Sequence, residues 1–396
     1  MRHSSVVLVL IALLAAAVAP AAATAKVRTG PAGDAFYTPP SPLPGKLHGD
    51  LIWARKASGQ PALASAGKSW LVLYRSTGVD GKSIAVSGVV SVPKGKAPKK
   101  GWPVISYDHG TTGIADQCAP SRDSTSNPAH LYNSYVYPLL NRWLKAGYAV
   151  VRTDYQGLGT AGIHRYLVGV DEGRSTLDIV LAARKLDNQV SNRLAIAGHS
   201  QGGHAALWGA FLAPKWTPGL KLRGTVAFAP ASHISELVSL VGTQTNPGGG
   251  LSAEASLVVR GIDDAQPGLD IASHFTDKFT ALYPETLTKC QPQLSQSDSI
   301  GGLAPADFFQ QNTDLGPLTS ALDISDPENL KIKSPLDVEQ GAADTTVFPG
   351  LTDDLVKQIK GRGGNVTYKK YSGVSHGGVV VSAADHATTY LRSHLR

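Results

Sequence analysis

"IAGHSQGGHAALWGA" occupies residues 196–210 and sets one serine, Ser200, between Gly198 and Gly202 at the end of an apolar run. The five residues Gly198-His199-Ser200-Gln201-Gly202 fit G-x-S-x-G, with a strand pattern before them and a helix pattern after. A serine on so sharp a strand-to-helix turn takes a strained backbone that pushes its hydroxyl into the open. Side chains two positions to either side would collide, so both positions call for glycine. Gly203 eases the approach of the helix to its neighbours. The helix beginning at Gln201 points free N–H groups toward whatever the serine attacks.

Outward from this turn, strands of continuous apolar character alternate with helical patterns. "WLVLYRST" (70–77) and "SIAVSGVVSVP" (83–93) read as a hairpin around Asp80-Gly81. "PVISYDHG" (103–110) reads as a buried strand entering a glycine-rich loop, and a helix is expected over about 133–146, ending at Gly147. Strand "YAVVRTDY", helix "STLDIVLAARKL", strand "RLAIAG", the helix from Gln201 and strand "GTVAFAP" follow. The alternation breaks from Ser232 to Lys331. It resumes with strand "SPLDVEQGA", helix "LTDDLVKQIKG", strand "VTYKKYS" and a closing helix from about Ala383. The pattern predicts an α/β fold, a mostly parallel central sheet with helices on both faces. Residues 26–231 and 332–396 would form the core, and 232–331 a cap or lid inserted before the last two strands.

The first 25 residues combine a basic start at Arg2, an apolar run from Val6 to Val18 and the small-residue end Ala23-Thr24-Ala25. This is the layout of a secretory signal peptide, and the run is shorter than the roughly 18 residues a membrane span needs. A secreted protein is expected. Loss of Arg2 takes the formal charge from +7 to +6. The group Lys94, Lys96, Lys99 and Lys100 reads as a solvated loop, and nothing resembles a nucleic-acid footprint. With 42% hydrophobic and 17% charged residues the chain can bury a sizeable core. Two cysteines, Cys118 and Cys290, favour one disulfide in an oxidising compartment.

A serine hydroxyl attacks only when a base takes its proton, and the base needs an orienting acid. Downstream of Ser200, Asp344 follows one predicted strand and His376 follows the next, both at the sheet edge where loops can converge. Among competing acids, Asp337 and Glu339 lie within a strand, and Asp353 and Asp354 open a helix, where acids favour the dipole. His386 and His394 read as surface residues of the last helix; His199 and His204 flank the turn and are expected to pack or hydrogen-bond there. The oxyanion donors expected are the N–H groups of Gln201 and of Thr111 in "HGTTG", with Thr112 close behind. "GLGTAG" (157–162) matches G-x-G-x-x-G, but the helix and acid of a dinucleotide site are missing. It reads instead as a loop in which Asp154 makes structural hydrogen bonds. No HExxH or EF-hand pattern appears, so no metal and no cofactor is expected, and Asn365-Val366-Thr367 is a bare sequon.

"GHSQGGHA", "DYQGLG", "HGTTGIADQCAPS", "GAADTTV" and "SGVSHGG" together resemble the secretory lipase family of the α/β-hydrolases, from about Leu43 to the end of the chain. The resemblance implies a Ser200–Asp344–His376 triad, hydrolysis of carboxylic esters, and a cap over the acyl site. It also implies a disulfide between Cys118 and Cys290. A second disulfide of the fungal members has no cysteines here. The substrate would be a small-molecule or lipid ester, the protein a monomer touching lipid surfaces transiently. Leu257, Val258, Val259, Phe275, Phe279, Phe308 and Phe309 are candidates either for an acyl wall or for the core of the cap itself. The rival readings are a serine peptidase on the same fold and a non-catalytic binding protein.

Overall fold

The computed structural model describes residues 27–395; the expected signal peptide lies outside them. Nine strands form one sheet: β1 (Leu51–Lys56), β2 (Ala66–Thr77), β3 (Ser83–Pro93), β4 (Trp102–Asp108), β5 (Ala149–Thr153), β6 (Val190–His199), β7 (Lys221–Phe228), β8 (Leu336–Gly341) and β9 (Val366–Tyr371). Their order is β1-β2-β3-β5-β4-β6-β7-β8-β9. The first three strands and the β3–β5 pair are antiparallel; from β5 to β9 every pair is parallel. This is the mostly parallel sheet the alternation predicted.

The central parallel strands β4 and β5 are buried on both faces, which is why they read as largely apolar runs, whereas β9 at the sheet edge alternates between half-buried and exposed positions. In β6, Leu194 and Ile196 turn toward the helix Gly169–Leu186, joining Leu177, Ile179 and Val180. Ala195 and Ala197 turn the other way, into a core with Leu140 and Trp143 of the helix Tyr137–Lys145 and Leu391 of the helix Ala384–Leu395. Each such Leu, Ile or Val contributes roughly 1.5–3 kcal/mol when fully buried.

Three local expectations are corrected. The single helix expected over 133–146 is two, His130–Ser134 and Tyr137–Lys145. Pro138 lacks an N–H for the Ser134 carbonyl and its ring would clash there, so the chain breaks just before it. Asp353 and Asp354 do not open their helix, which starts at Pro349. Asp353 instead accepts hydrogen bonds from Tyr368 Oη (2.7 Å) and Lys370 Nζ (3.0 Å). His386, expected at the surface, pairs with Glu339 (2.5 Å), and its side chain is only 35% exposed.

Between β7 and β8 the chain forms no strand. It folds into short helices, chiefly Ile234–Val241, Gly250–Ala265 and Gly316–Asp323, around an apolar cluster of their own. Leu257, Val259, Phe275, Phe279 and Phe308 sit in that cluster, with Phe279 and Phe308 stacked at 4.0 Å between ring centroids.

Candidate active site

Ser200 stands between the last residue of β6 and the first of the helix Gln201–Trp216, at φ 60° and ψ −121°. Such a conformation costs a side-chain-bearing residue roughly 1–3 kcal/mol. Three backbone hydrogen bonds hold it. Its N–H donates to the Phe228 carbonyl (2.9 Å), and its own carbonyl accepts from the N–H groups of His204 (3.1 Å) and Ala231 (3.2 Å). A Cβ on Gly198 would lie 2.0 Å from the Gly202 carbonyl oxygen, and one on Gly202 1.9 Å from that of Asp108. The turn therefore admits only glycine at both places. Gly203 is tight as well, with Pro230 Cα 2.7 Å from where its Cβ would be.

Asp344 lies three residues beyond the end of β8, and His376 five beyond the end of β9. Asp344 Oδ2 accepts from His376 Nδ1 at 2.7 Å and from Gln340 Nε2 at 3.1 Å. Its Oδ1 accepts from the N–H groups of Thr346 (2.8 Å) and Val347 (2.9 Å). Four donors thus fix one buried carboxyl group, and with it the orientation of the imidazole. His376 and Ser200 line one cavity, together with Gly110 and Thr111 from the loop after β4.

Gln201 opens its helix, so its N–H is among the four with no acceptor inside it. Its side chain donates to Glu172 Oε1 (2.7 Å) and lies 2.8 Å from His164 Nε2. Thr111 Oγ1 is hydrogen-bonded to Tyr166 Oη (2.7 Å). The flanking histidines are structural braces. His204 Nδ1 donates to Glu172 Oε2 (2.7 Å), and the Ser325 carbonyl lies 2.9 Å from its Nε2. Burial opposes charge on His204, but the Glu172 hydrogen bond and charge outweigh it and hold the imidazole above its ordinary range. His199 is held well below, by burial and then by the charge of His376. It is therefore neutral, and joins the Tyr135 hydroxyl (2.5 Å) to the His376 carbonyl (3.0 Å).

A second cavity opens from Ser200 between Leu237, Val238 and Val241 of one inserted helix and Leu251, Ala255 and Val258 of the next. Of the seven apolar candidates, Val258 alone lines it; the others stand mostly in the core of the inserted segment. Glu254 lines both cavities. Burial, reinforced by the charge of Asp344 and opposed by that of His376, pushes its carboxyl up to about 7. Sequence reasoning missed Glu254, although Leu251, Glu254, Ala255 and Val258 are spaced i, i+3, i+4 and i+7 along one helix face. The missed Glu172 had no such signal, because its partners are the Leu167 N–H of the preceding loop and Gln201 and His204 on a helix far along the chain.

Asp154 accepts from Ser87 Oγ (2.6 Å) and the Ser121 N–H (2.9 Å), so "DYQGLG" anchors the neighbouring loop rather than a nucleotide. Cys118 and Cys290 form a disulfide across a sequence separation of 172.

A family model described as "Secretory lipase" matches residues 132–313. Lipase A of Moesziomyces aphidis is 30% identical over 277 residues, 67% of this chain and 57% of that protein. A probable inactive lipase of Mycobacterium tuberculosis is 25% identical over 367 residues, 86% of this chain and 77% of the relative. The chain spans about half the length of most of the curated relatives it matches. Candida antarctica lipase A in its closed state superposes with a TM-score of 0.80 at 21% identity, covering 91% of this chain and 85% of that one. The resemblance to secretory lipases drawn from the motifs holds, and so does the α/β-hydrolase fold.

Proposed function

We propose that this secretory-lipase-like chain is a secreted hydrolase of carboxylic esters working through an acyl-enzyme on Ser200. The observation that carries the reading is the Asp344–His376 hydrogen bond at 2.7 Å, on a histidine that shares its cavity with a serine held at φ 60°. His376 Nε2 takes the Ser200 proton as Oγ attacks the ester carbonyl. Asp344 holds the ring in the tautomer that carries its proton on Nδ1. The N–H groups of Thr111 and Gln201 receive the oxyanion. The alcohol leaves with the proton from His376, and water activated by the same imidazole releases the acid. No cofactor enters the reaction.

The helices between β7 and β8 act as a cap, and the apolar cavity beneath Leu237, Val238 and Val241 takes the acyl chain. The alcohol occupies the cavity that Ser200 and His376 share, beside Tyr132, Tyr135 and Gly377. Leu131 on that cavity is 78% exposed, and Leu240 of Ile234–Val241, whose Val238 and Val241 line the apolar cavity, and Val381 of Gly378–Ser382, which follows Gly377, are 55% and 72% exposed. This apolar fringe suits transient contact with a lipid surface.

The test is hydrolysis of p-nitrophenyl esters from acetate to palmitate. Turnover that peaks at medium or long chains supports an acyl cavity under the cap. A peak at acetate makes the protein a small-ester esterase. Absence of turnover at every length overturns the reading in favour of a binding role. A peptidase would need a charged anchor, and Glu254 is the only carboxyl lining either cavity. Preference for amino-acid p-nitroanilides over esters would point there.

Glu254 also predicts a pH effect on product release. Below pH 7 its carboxyl is neutral, much like glutamine; above pH 7 it is a negative charge beside the position of the leaving carboxylate. Tyr132, Tyr166, Asp344 and His376 are the titratable groups that face it. Octanoate should inhibit wild type and Glu254→Gln equally at about pH 5.5. At about pH 8.5 it should bind the variant roughly tenfold more tightly, since like charges about 10 Å apart repel by about 1.5 kcal/mol. Inhibition constants that stay equal at both pH values would remove Glu254 from this role.

A further inference from the structure

Away from Ser200, β8 carries Asp337 and Glu339 on either side of Val338. Alternation along a strand sends both carboxyl groups out of the same face. The helix Ala384–Leu395 lays His386 against that face. Both acids have fully buried side chains, and one ligand atom from each of the three residues lies within 4.8 Å of the others. Neither oxygen of Asp337, nor Oε2 of Glu339, has a hydrogen-bond partner. The single bond in the cluster joins Glu339 Oε1 to His386 Nδ1 at 2.5 Å, and Asp337 Oδ2 lies 3.4 Å from the same nitrogen. The Tyr371 hydroxyl meets Glu339 and the Tyr390 hydroxyl the Thr225 backbone, and burial, then the charges of these acids, hold both phenols above their ordinary range.

Two acidic groups buried side by side cannot both ionise unless a cation stands between them; otherwise they hold a proton, since burial raises both carboxyls and the charge of Glu339 raises Asp337 further. Lys369 and His394 exert only their fields from outside, and among the described residues no lysine or arginine is paired with either acid. The carboxylate oxygens and the imidazole nitrogen stand close enough to share one ion. The His386 side chain, a third exposed, reaches solvent on one side of the cluster.

We propose that Asp337, Glu339 and His386 bind a divalent transition-metal ion, with Zn²⁺ the best match to the donor set. Calcium and magnesium prefer cages made of oxygen alone, whereas one imidazole with two carboxylates suits zinc. In a tetrahedral zinc site with bonds of about 2.0–2.1 Å, neighbouring ligand atoms stand about 3.3 Å apart. The separation of His386 Nδ1 from Asp337 Oδ2 is already 3.4 Å. Glu339 Oε1 has to withdraw by less than about 1 Å to complete the edge. Water takes the fourth position from the exposed side of His386. The ion's part is structural. It ties the strand that leads to Asp344 to the helix that follows the His376 loop. Sequence reading missed the cluster because its histidine lies 47 residues beyond Glu339, a spacing no short metal motif contains.

The test uses the full chain, stripped with EDTA and titrated with ZnCl₂. Calorimetry should find one zinc per chain, and thermal unfolding should shift upward by about 5 °C at a hundredfold excess over Kd. The shift should persist in Ser200→Ala and vanish in Asp337→Asn and His386→Asn. Asp337→Asn keeps the side chain's shape and removes one of two adjacent buried charges, so it should stay folded, which circular dichroism verifies. A zinc shift retained by both variants places the ion elsewhere and overturns the proposal. So does an equal shift with CaCl₂, or no shift and no bound zinc, which would leave the acids neutralised by a shared proton.

Discussion

Ser200→Ala is expected to lower p-nitrophenyl ester hydrolysis by roughly 10⁴–10⁶-fold, while the protein stays folded. Alanine removes the nucleophile but keeps a Cβ, so the strained backbone at φ 60° and its three backbone hydrogen bonds are left as they were. Stability should therefore change little. Ser200→Gly separates strain from chemistry, because glycine adopts positive φ at no steric cost. It should be as inactive as the alanine variant yet more stable, by about 1 kcal/mol and up to about 3. Two measurements decide the matter: initial rates with the purified variants, and urea unfolding of all three proteins. Residual activity above a few per cent in Ser200→Ala would remove Ser200 as the nucleophile. A glycine variant no more stable than wild type would show that the turn is relaxed, and the elbow argument would lose its energetic basis.

The glycine pattern shows where sequence reading has power. Gly198 and Gly202 are dictated by two carbonyl oxygens 2.0 and 1.9 Å from where their Cβ atoms would be, so the motif is a steric statement that any chain must obey. The central parallel strands were legible because burial on both faces makes most of their positions apolar, as in β5, while β8 keeps Asp337, Glu339 and Gln340 inside. β1 was missed because "LIWARK" is an edge strand with one neighbour, whose register with β2 slips between Leu51 and Trp53. The helix Gly169–Leu186 begins six residues earlier than "STLDIVLAARKL" suggested. Its first turns are buried and hold Asp171 and Glu172, which look like surface residues until their partners fold in.

The acid and base positions were legible because each stands a few residues past a strand. What gives them their environment was not. Asp344 depends on Gln340 and two backbone N–H groups, and His376 on a carbonyl contact with His199. These contacts arise from packing between segments far apart in sequence. The aromatic residues between β7 and β8 teach the same lesson from the other side. Phe275, Phe279 and Phe308 have the bulk of an acyl wall, yet a hundred-residue segment with no sheet to pack on needs them for its own core. The cavity that Ser200 shares is lined instead by Leu237, Val238 and Val241, shorter aliphatic residues of the helix Ile234–Val241.

The second large effect expected is from the Cys118–Cys290 bond. Cys118 closes a 3-10 turn that follows the Thr111 loop, and Cys290 precedes the short helix Gln291–Leu294 in the segment between β7 and β8. Beside the bond, the Gln291 N–H donates to the Thr112 carbonyl at 2.9 Å, next to the proposed oxyanion donor. Closing 172 residues into a loop restrains the unfolded chain by about 5 kcal/mol on chain entropy, and losses on removing native disulfides run at about 2–5 kcal/mol. Cys118→Ala with Cys290→Ala should therefore cost about 3–5 kcal/mol and lower Tm by about 5 °C or more. Alanine is the substitution of choice, since both positions are fully buried and serine would add unpaired hydroxyls. Because the bond fixes the loop that carries Thr111 to the segment above it, ester hydrolysis should fall at temperatures well below the new midpoint. Wild type treated with dithiothreitol should follow the double variant in both respects. If reduction changes neither Tm nor rate, the loop and the inserted segment are held by their packing alone, and the bond only records that they are neighbours.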